Sequence, residues 1–240
     1  MLPCIWENIM LPNEDFSSLE EKIGYEFQDK KLLLQALTHS SFSNEQKINK
    51  HPNYERLEFL GDAVLELISS QFFFEHYPEW KEGQLTRVRS SMVCEPALAY
   101  CARDISLQKY ILLGKGEEAT GGRERDSIVS DVMEAVLGAI YLDGGFEEAK
   151  RYVHQWILSD LETKQLFYDS KSILQERAQK VGKELTYRLV SESGPDHDKV
   201  FVIEAWIDGK CVGSGNGKSK KSAEQQAAYA VLMKSPQENL

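Results

Sequence analysis

Residues 54–67 read YERLEFLGDAVLEL. Leu57, Leu60, Val64, Leu67 and, one place beyond, Ile68 recur at spacings of three and four, the period of an α-helix. Phe59, Ala63 and Leu65 fill the remaining sides, so the pattern predicts a helix apolar nearly all round, which belongs in an interior. Glu55, Glu58 and Asp62 lie inside it. At about 100° per residue, positions i, i+3 and i+7 fall on one side of a helix, so the three carboxylates face the same way. Crowded on a buried surface they repel each other and lose hydration, and both effects penalise the ionised form. A cation is required opposite them: Arg or Lys from another segment, or a metal ion.

A second stretch repeats the feature. Residues 127–142 (SIVSDVMEAVLGAIYL) read as a long apolar helix whose only charges, Asp131 and Glu134, stand three apart and share a face. Two such helices with almost no basic residue nearby suggest one shared site of four carboxylates. Hard oxygen ligands of this kind suit Mg²⁺ or Mn²⁺ rather than zinc. The plainer alternative, two helix-surface pairs each matched by an arginine, stays open at this level.

ERLEFLGDAVLEL (55–67) resembles the signature of the ribonuclease III family, and LLLQALTHSSF (32–42), EGQLTRVRSSMV (82–93) and LLGKGEEATGGRERDSIVSDVMEAVLGAIYLDGGF (112–146) follow in that family's order, ahead of a C-terminal segment resembling its double-stranded-RNA-binding domain. The likeness runs over roughly residues 15–236. It implies an all-α nuclease domain, a ribonuclease III-like helical bundle, followed by a small α+β domain of order α-β-β-β-α. It also implies a homodimeric endoribonuclease that hydrolyses double-stranded RNA to 5′-phosphate and 3′-hydroxyl ends, in rRNA and mRNA processing. On the matching positions, the resemblance makes Glu58, Asp62, Asp131 and Glu134 ligands of Mg²⁺, for which Mn²⁺ substitutes, and gives Asp62 and Glu134 catalytic roles. Glu55 and Glu82 match acidic positions nearer the rim that assist RNA or water placement, and Phe59 matches the aromatic knob of the dimer interface. Glu66 matches no catalytic position and reads as structural. Tyr54 and Ser41 depart from the family, standing where many members have Asn and Arg. A protein that binds duplex RNA as a homodimer without cutting it would have been signalled by loss of one carboxylate, and all four are present.

Composition sets the bounds. The 240 residues suffice for one large domain or two small ones, and 42% hydrophobic with 28% charged content is ordinary for a water-soluble chain. Apolar runs reach only about eight residues, too short for a membrane helix. The N-terminal MLPCIWENIM has no basic cluster and is not a secretory signal. Cys4, Cys94, Cys101 and Cys211 are scattered without zinc-type spacing, as expected of reduced thiols in a cytoplasmic protein. The net charge is −10, but unevenly spread: residues 170–240 hold 11 Lys+Arg against 9 Asp+Glu, or +2, leaving −12 for residues 1–169. An acidic front portion cannot attract phosphate by bulk charge and needs bound cations, a partner module, or both.

Residues 1–15 read as an extension, 16–161 as the nuclease domain, 162–169 as a linker acting as a flexible tether, and 170–236 as the RNA-binding domain. Ser18-Leu19-Glu20-Glu21 has the form of a capping box, with Gly24 ending that helix. Asp29 caps a helix over 30–38, and a single helix is expected over 82–103 with Pro96 as a start or kink. Gly114–Gly122 lacks both the GxxxxGK[ST] pattern and a preceding strand, which leaves a turn. A last amphipathic helix is expected over 147–164. His39 reads as a hydrogen-bonded structural histidine, and His51, His76 and His154 as surface or packing residues.

From Ser170 a short helix gives way to period-two alternation and an Asp208-Gly209 hairpin, and an Ala-rich helix closes the chain. Lys218, Lys220 and Lys221 stand at that helix's N-terminus, an end already suited to phosphate, although such a run is equally often a solvated charge cluster. By the resemblance, the Gly194–His197 loop enters a minor groove, and Gln175 and Gln179, four apart, reach 2′-hydroxyls and base edges.

Overall fold

The computed structural model describes residues 16–46, 52–159, 169–195, 199–217 and 219–234. The chain divides into two compact units, Met1–Ser159 and Asp160–Leu240.

The first unit is helical: α1 (Ser17–Ile23), α2 (Lys30–Ala36), α3 (Ser40–Glu45), α4 (Glu55–His76), α5 (Glu82–Met92), α6 (Glu95–Asp104), α7 (Lys115–Ala119), α8 (Asp126–Gly144) and α9 (Phe146–Trp156). Helix α8 is its axis. Val129, Val132, Met133, Val136, Leu137 and Ile140 are wholly buried, and α4, α6, α9 and α2 pack around it. A helix apolar on every side can satisfy that pattern only by being surrounded.

Helix α4 departs from the sequence expectation of full burial. Leu57, Val64, Leu65, Ile68 and Phe73 are inside, but Phe59 is 80% exposed, Phe74 73% and Leu67 58%. Spacings of eight and seven residues put these three on one side of the helix, so α4 carries one packed face and one bare apolar stripe.

The two acidic helices cross at glycine. A Cβ at Gly61 would stand 1.9 Å from the Glu134 carbonyl oxygen, and one at Gly138 would stand 2.2 Å from that of Leu57. Backbone lies on backbone there, closer than any side chain permits.

Several local expectations shift. The Ser18–Glu21 capping box does not form: α1 opens at Ser17, after Phe16 and without a side-chain cap, and inside it the buried Glu20 accepts hydrogen bonds from the Phe27 amide (2.8 Å) and Lys30 Nζ (2.5 Å). Asp29 does cap α2, accepting from the Lys31 amide at 3.0 Å. That helix stops at Ala36, and Thr38 bridges to Leu112 as a lone parallel pair. The 82–103 segment is two helices, with Pro96 in the first turn of the second, where its missing N–H costs nothing. The Gly-rich segment carries the short helix α7. Helix α9 ends at Trp156, and the remainder of the expected 147–164 helix runs into residues outside those described.

The second unit runs α10 (Ser170–Lys180), β1 (Leu185–Ser193), β2 (Val200–Ile207), β3 (Lys210–Gly217), α11 (Lys220–Lys234). The strands form one antiparallel sheet in the order β1-β2-β3. Asp208 (φ 47°) and Gly209 (φ 76°) are both left-handed, as the tight turn between β2 and β3 requires. Leu174 from α10, Ala205 and Ile207 from β2, and Ala227, Ala228, Val231 and Leu232 from α11 make the core. Gly215 lets α11 lie directly on β3, since a Cβ there would meet the Ala227 amide nitrogen at 2.2 Å. Among the described residues no helix is long and apolar enough to cross a membrane.

Candidate active site and RNA-binding surface

The crossing of α4 and α8 assembles the acidic residues. Gly61 lies between Glu58 and Asp62, and its neighbour across the crossing is Glu134 itself. Glu134 feels the charges of Asp62, Glu58 and Asp131, and Glu58 feels those of Asp131, Glu55 and Asp62. Burial, then these like charges, push the Glu58 carboxyl up to about 7 and that of Glu134 up to about 8. Asp131 is also raised, by burial and by Glu95, against the opposing pull of a hydrogen bond from the Tyr54 hydroxyl (3.3 Å) and the nearby His39.

No described Lys or Arg pairs with Glu58, Asp62, Asp131 or Glu134, whereas the neighbouring acids Glu66, Glu117 and Asp126 are each matched by an arginine. Among the described residues no three acidic, His or Cys side chains converge closely enough to enclose an ion as they stand. The donor set is all carboxylate oxygen, which suits a hard divalent ion.

Glu55, in the first turn of α4, acts on Glu58 and on His39. Glu82 does not join the cluster. It starts α5, accepts from Thr86 Oγ1 at 2.9 Å, and lines a groove of about 380 Å³ with Leu67, Phe73, Phe74, Leu85 and Arg89. Glu66 pairs with Arg89 at 3.1 Å, a structural contact. His39 caps α3, its Nδ1 2.7 Å from Ser41 Oγ and accepting from the Ser41 amide, and burial keeps its pKa low. His76 stacks on Phe72 with centroids 4.0 Å apart, and His154 meets the same ring edge-on.

Sequence reasoning passed over Gly61, Gly138 and Tyr54's bond to Asp131. The glycines had a signal: each costs roughly 1 kcal/mol in a helix interior relative to Ala, so two of them in long buried helices need a reason. In the second unit Gln175 and Gln179 are exposed on α10, and Lys220 and Lys221 are exposed in the first turn of α11. His197, Lys218 and His51 lie outside the described residues.

Comparison with known proteins places this arrangement. A family model for a ribonuclease-III-like domain matches residues 29–161, and one for the double-stranded RNA binding motif matches residues 170–234. The protein named Ribonuclease 3 of Caldanaerobacter subterraneus subsp. tengcongensis is 50% identical over 221 residues, covering 90% of this chain and 96% of the relative. The chain belongs to the ribonuclease III family. Ribonuclease 3 of Bacillus cereus is 46% identical over 224 residues, covering 92% of this chain and 91% of the relative. A solved nuclease domain of ribonuclease III from Campylobacter jejuni, titled for structural flexibility in a region involved in dimer formation, matches with TM-score 0.56 at 43% identity, covering 60% of this chain and 96% of that one. As a ribonuclease III, the chain is an endoribonuclease of double-stranded RNA, a metal-dependent nuclease domain joined to a domain that binds the duplex.

Proposed function

We propose that this ribonuclease III hydrolyses phosphodiester bonds of double-stranded RNA with Mg²⁺ held by Glu58, Asp62, Asp131 and Glu134, leaving 5′-phosphate and 3′-hydroxyl ends. The observation that carries the reading is the set of four facing carboxylates to which no described basic residue is matched. A bound divalent ion supplies an activated water and neutralises charge that develops on the phosphorane and the departing 3′-oxygen. Mn²⁺, with the same preference for oxygen, substitutes. The protein's part is electrostatic and positional. Glu58 and Glu134, pushed up to about 7 and about 8, take up protons more readily than ordinary carboxyls, and holding a divalent ion would require them to give those protons up. Asp62 and Glu134 face the reacting phosphate, while Glu55 and the more distant Glu82 orient RNA or water. No histidine pair works on the 2′-hydroxyl: His39 is tied to Ser41.

Duplex RNA is gripped by Lys218, Lys220 and Lys221 at the start of α11 and read in the minor groove by Gln175, Gln179 and the loop bearing His197. This module supplies what a nuclease portion of charge −12 lacks. The nuclease domain extends over residues 16–161 and the RNA-binding domain over 170–236. Two copies pair through the α4 stripe around Phe59, whose 80% exposure is otherwise costly for a Phe. The setting is rRNA and mRNA processing in the cytoplasm.

One pair of gels tests the chemistry: long duplex RNA with the protein in Mg²⁺, and in EDTA with binding followed by mobility shift. Cleavage to short duplexes with 5′-phosphates in Mg²⁺ alone is expected. Binding without cleavage in any divalent ion would overturn the proposal and favour a duplex-binding homodimer with a structural acidic face.

A further inference from the structure

Tyr54 stands just before the first turn of α4, and its side chain reaches Asp131 of α8. Its carbonyl accepts from the Leu57 and Glu58 amides at 2.8 and 2.9 Å, so it anchors the turn that carries Glu58. Its own amide donates to the Thr38 carbonyl at 2.9 Å. The side chain is buried, 4% exposed, and its ring leans on His39 with centroids 5.6 Å apart. His39 is fixed in turn by Ser41, whose Oγ accepts from the Gly114 amide at 2.9 Å. The residue is thus held through its backbone and against His39, with its O–H aimed at Asp131 Oδ2 3.3 Å away. Among the described residues it is the one hydrogen-bond donor to any of the four carboxylates.

We propose that Tyr54 is a positioning residue for the metal centre: its hydroxyl holds one oxygen of Asp131 and leaves the other turned toward the cation. The inference rests on the reading of Asp131 as a ligand. Three of the four carboxylates have no anchor among the described residues, and acids that repel each other do not stay gathered. A ligating carboxylate held by an outer partner is already oriented when the ion arrives, and loss of such a partner costs roughly 10–100-fold in metal affinity. A neutral donor does this without competing for the site, as Arg or Lys would. Phenylalanine in its place keeps the ring against His39 and removes only the donor.

The test is Mn²⁺ binding to the full chain without RNA, followed by electron paramagnetic resonance of the free ion, for the unsubstituted protein, Tyr54→Phe, Asp131→Asn and the double variant. Tyr54→Phe is expected to weaken Mn²⁺ binding about tenfold, to raise by a similar factor the Mg²⁺ needed for half-maximal cleavage, and to leave cleavage at saturating Mg²⁺ and duplex affinity in EDTA nearly unchanged. Added to Asp131→Asn it should cost nothing further in the residual affinity of the remaining acids, because its effect runs through Asp131. Undiminished Mn²⁺ affinity in Tyr54→Phe, or an equal loss on the Asp131→Asn background, overturns the positioning role while the four-acid site stands. Mn²⁺ binding by the unsubstituted protein that Asp131→Asn does not weaken overturns the ligand reading itself.

Discussion

Glu134 is half-buried beside three other acids, and its carboxyl is pushed up to about 8 from an ordinary 4.5, with Glu58 pushed up to about 7. A folded-state pKa above the unfolded one means the folded protein binds the extra proton, so stability is full below the unfolded value and is lost as pH rises through the folded one. In EDTA the melting temperature should therefore fall between pH 5 and pH 8, the window these two residues span. Glu134→Gln, which cannot ionise, should flatten that fall, and Mg²⁺ should reverse it in the unsubstituted chain. Parallel melting curves for the two proteins across this range would show that Glu134 is not the source. Asp62→Asn should lower cleavage by more than the roughly 10–100-fold typical of an outer-shell loss and leave duplex binding in a mobility shift nearly intact. Equal loss of both would make Asp62 structural. These acids stood out in sequence because four like charges on apolar helices call for a cation opposite them, whether arginine, lysine or a metal ion. Tyr54 did not, since nothing in a linear pattern says which residue of another helix a phenol will reach.

At the level of the element, the crossing of α4 and α8 rests on glycine. In an open helix, Gly→Ala gains up to about 1 kcal/mol. Gly83 in α5, where an added Cβ would have nothing within 4 Å, should behave that way. Gly61→Ala should do the opposite. Its methyl would stand 1.9 Å from the Glu134 carbonyl oxygen, and prising the helices apart costs about 1–3 kcal/mol or more. Urea unfolding of the two variants should shift the midpoint in opposite directions, and a neutral Gly61→Ala would mean that the crossing has slack. On the RNA-binding domain, replacing Lys220 and Lys221 with Ala should weaken duplex binding at physiological salt and reduce the slope of log affinity against log salt by roughly two. An unchanged slope would remove both from the phosphate contacts. The element boundaries misread in sequence have local causes. Ser18 and Glu21 have the spacing of a capping box, yet α1 already begins at Ser17, which puts Ser18 inside the helix. Two helices could replace one over 82–103 because Pro96 permits a start as readily as a kink.

For the whole molecule, the bare stripe of α4 is the feature a single copy leaves unresolved. Phe59, Leu67 and Phe74 face water along one side of the helix that also carries Glu58 and Asp62 on another. Phe59→Ala should convert a dimer to monomer in sedimentation at micromolar concentration, whereas a monomeric unsubstituted chain would count against the pairing. Sequence periodicity placed Phe59 and Leu67 on a helix apolar nearly all round, and so in an interior; they are indeed apolar and helical. It could not tell an interior from a surface awaiting a second copy, since both remove the same area from water.

The amino-acid sequence by itself determined that this is a helical unit followed by an α-β-β-β-α unit, that its acids fall into two helix-borne pairs, and that its charge is segregated along the chain. Each of these is a property of spacing, which the backbone periods of 3.6 and 2 convert directly into faces. Only the tertiary structure decided that Gly61 and Gly138 bring the two pairs together, that Glu82 stands outside them, and that Phe59 faces outward. Those are facts about which surfaces meet, and that depends on the packing of the whole unit at once.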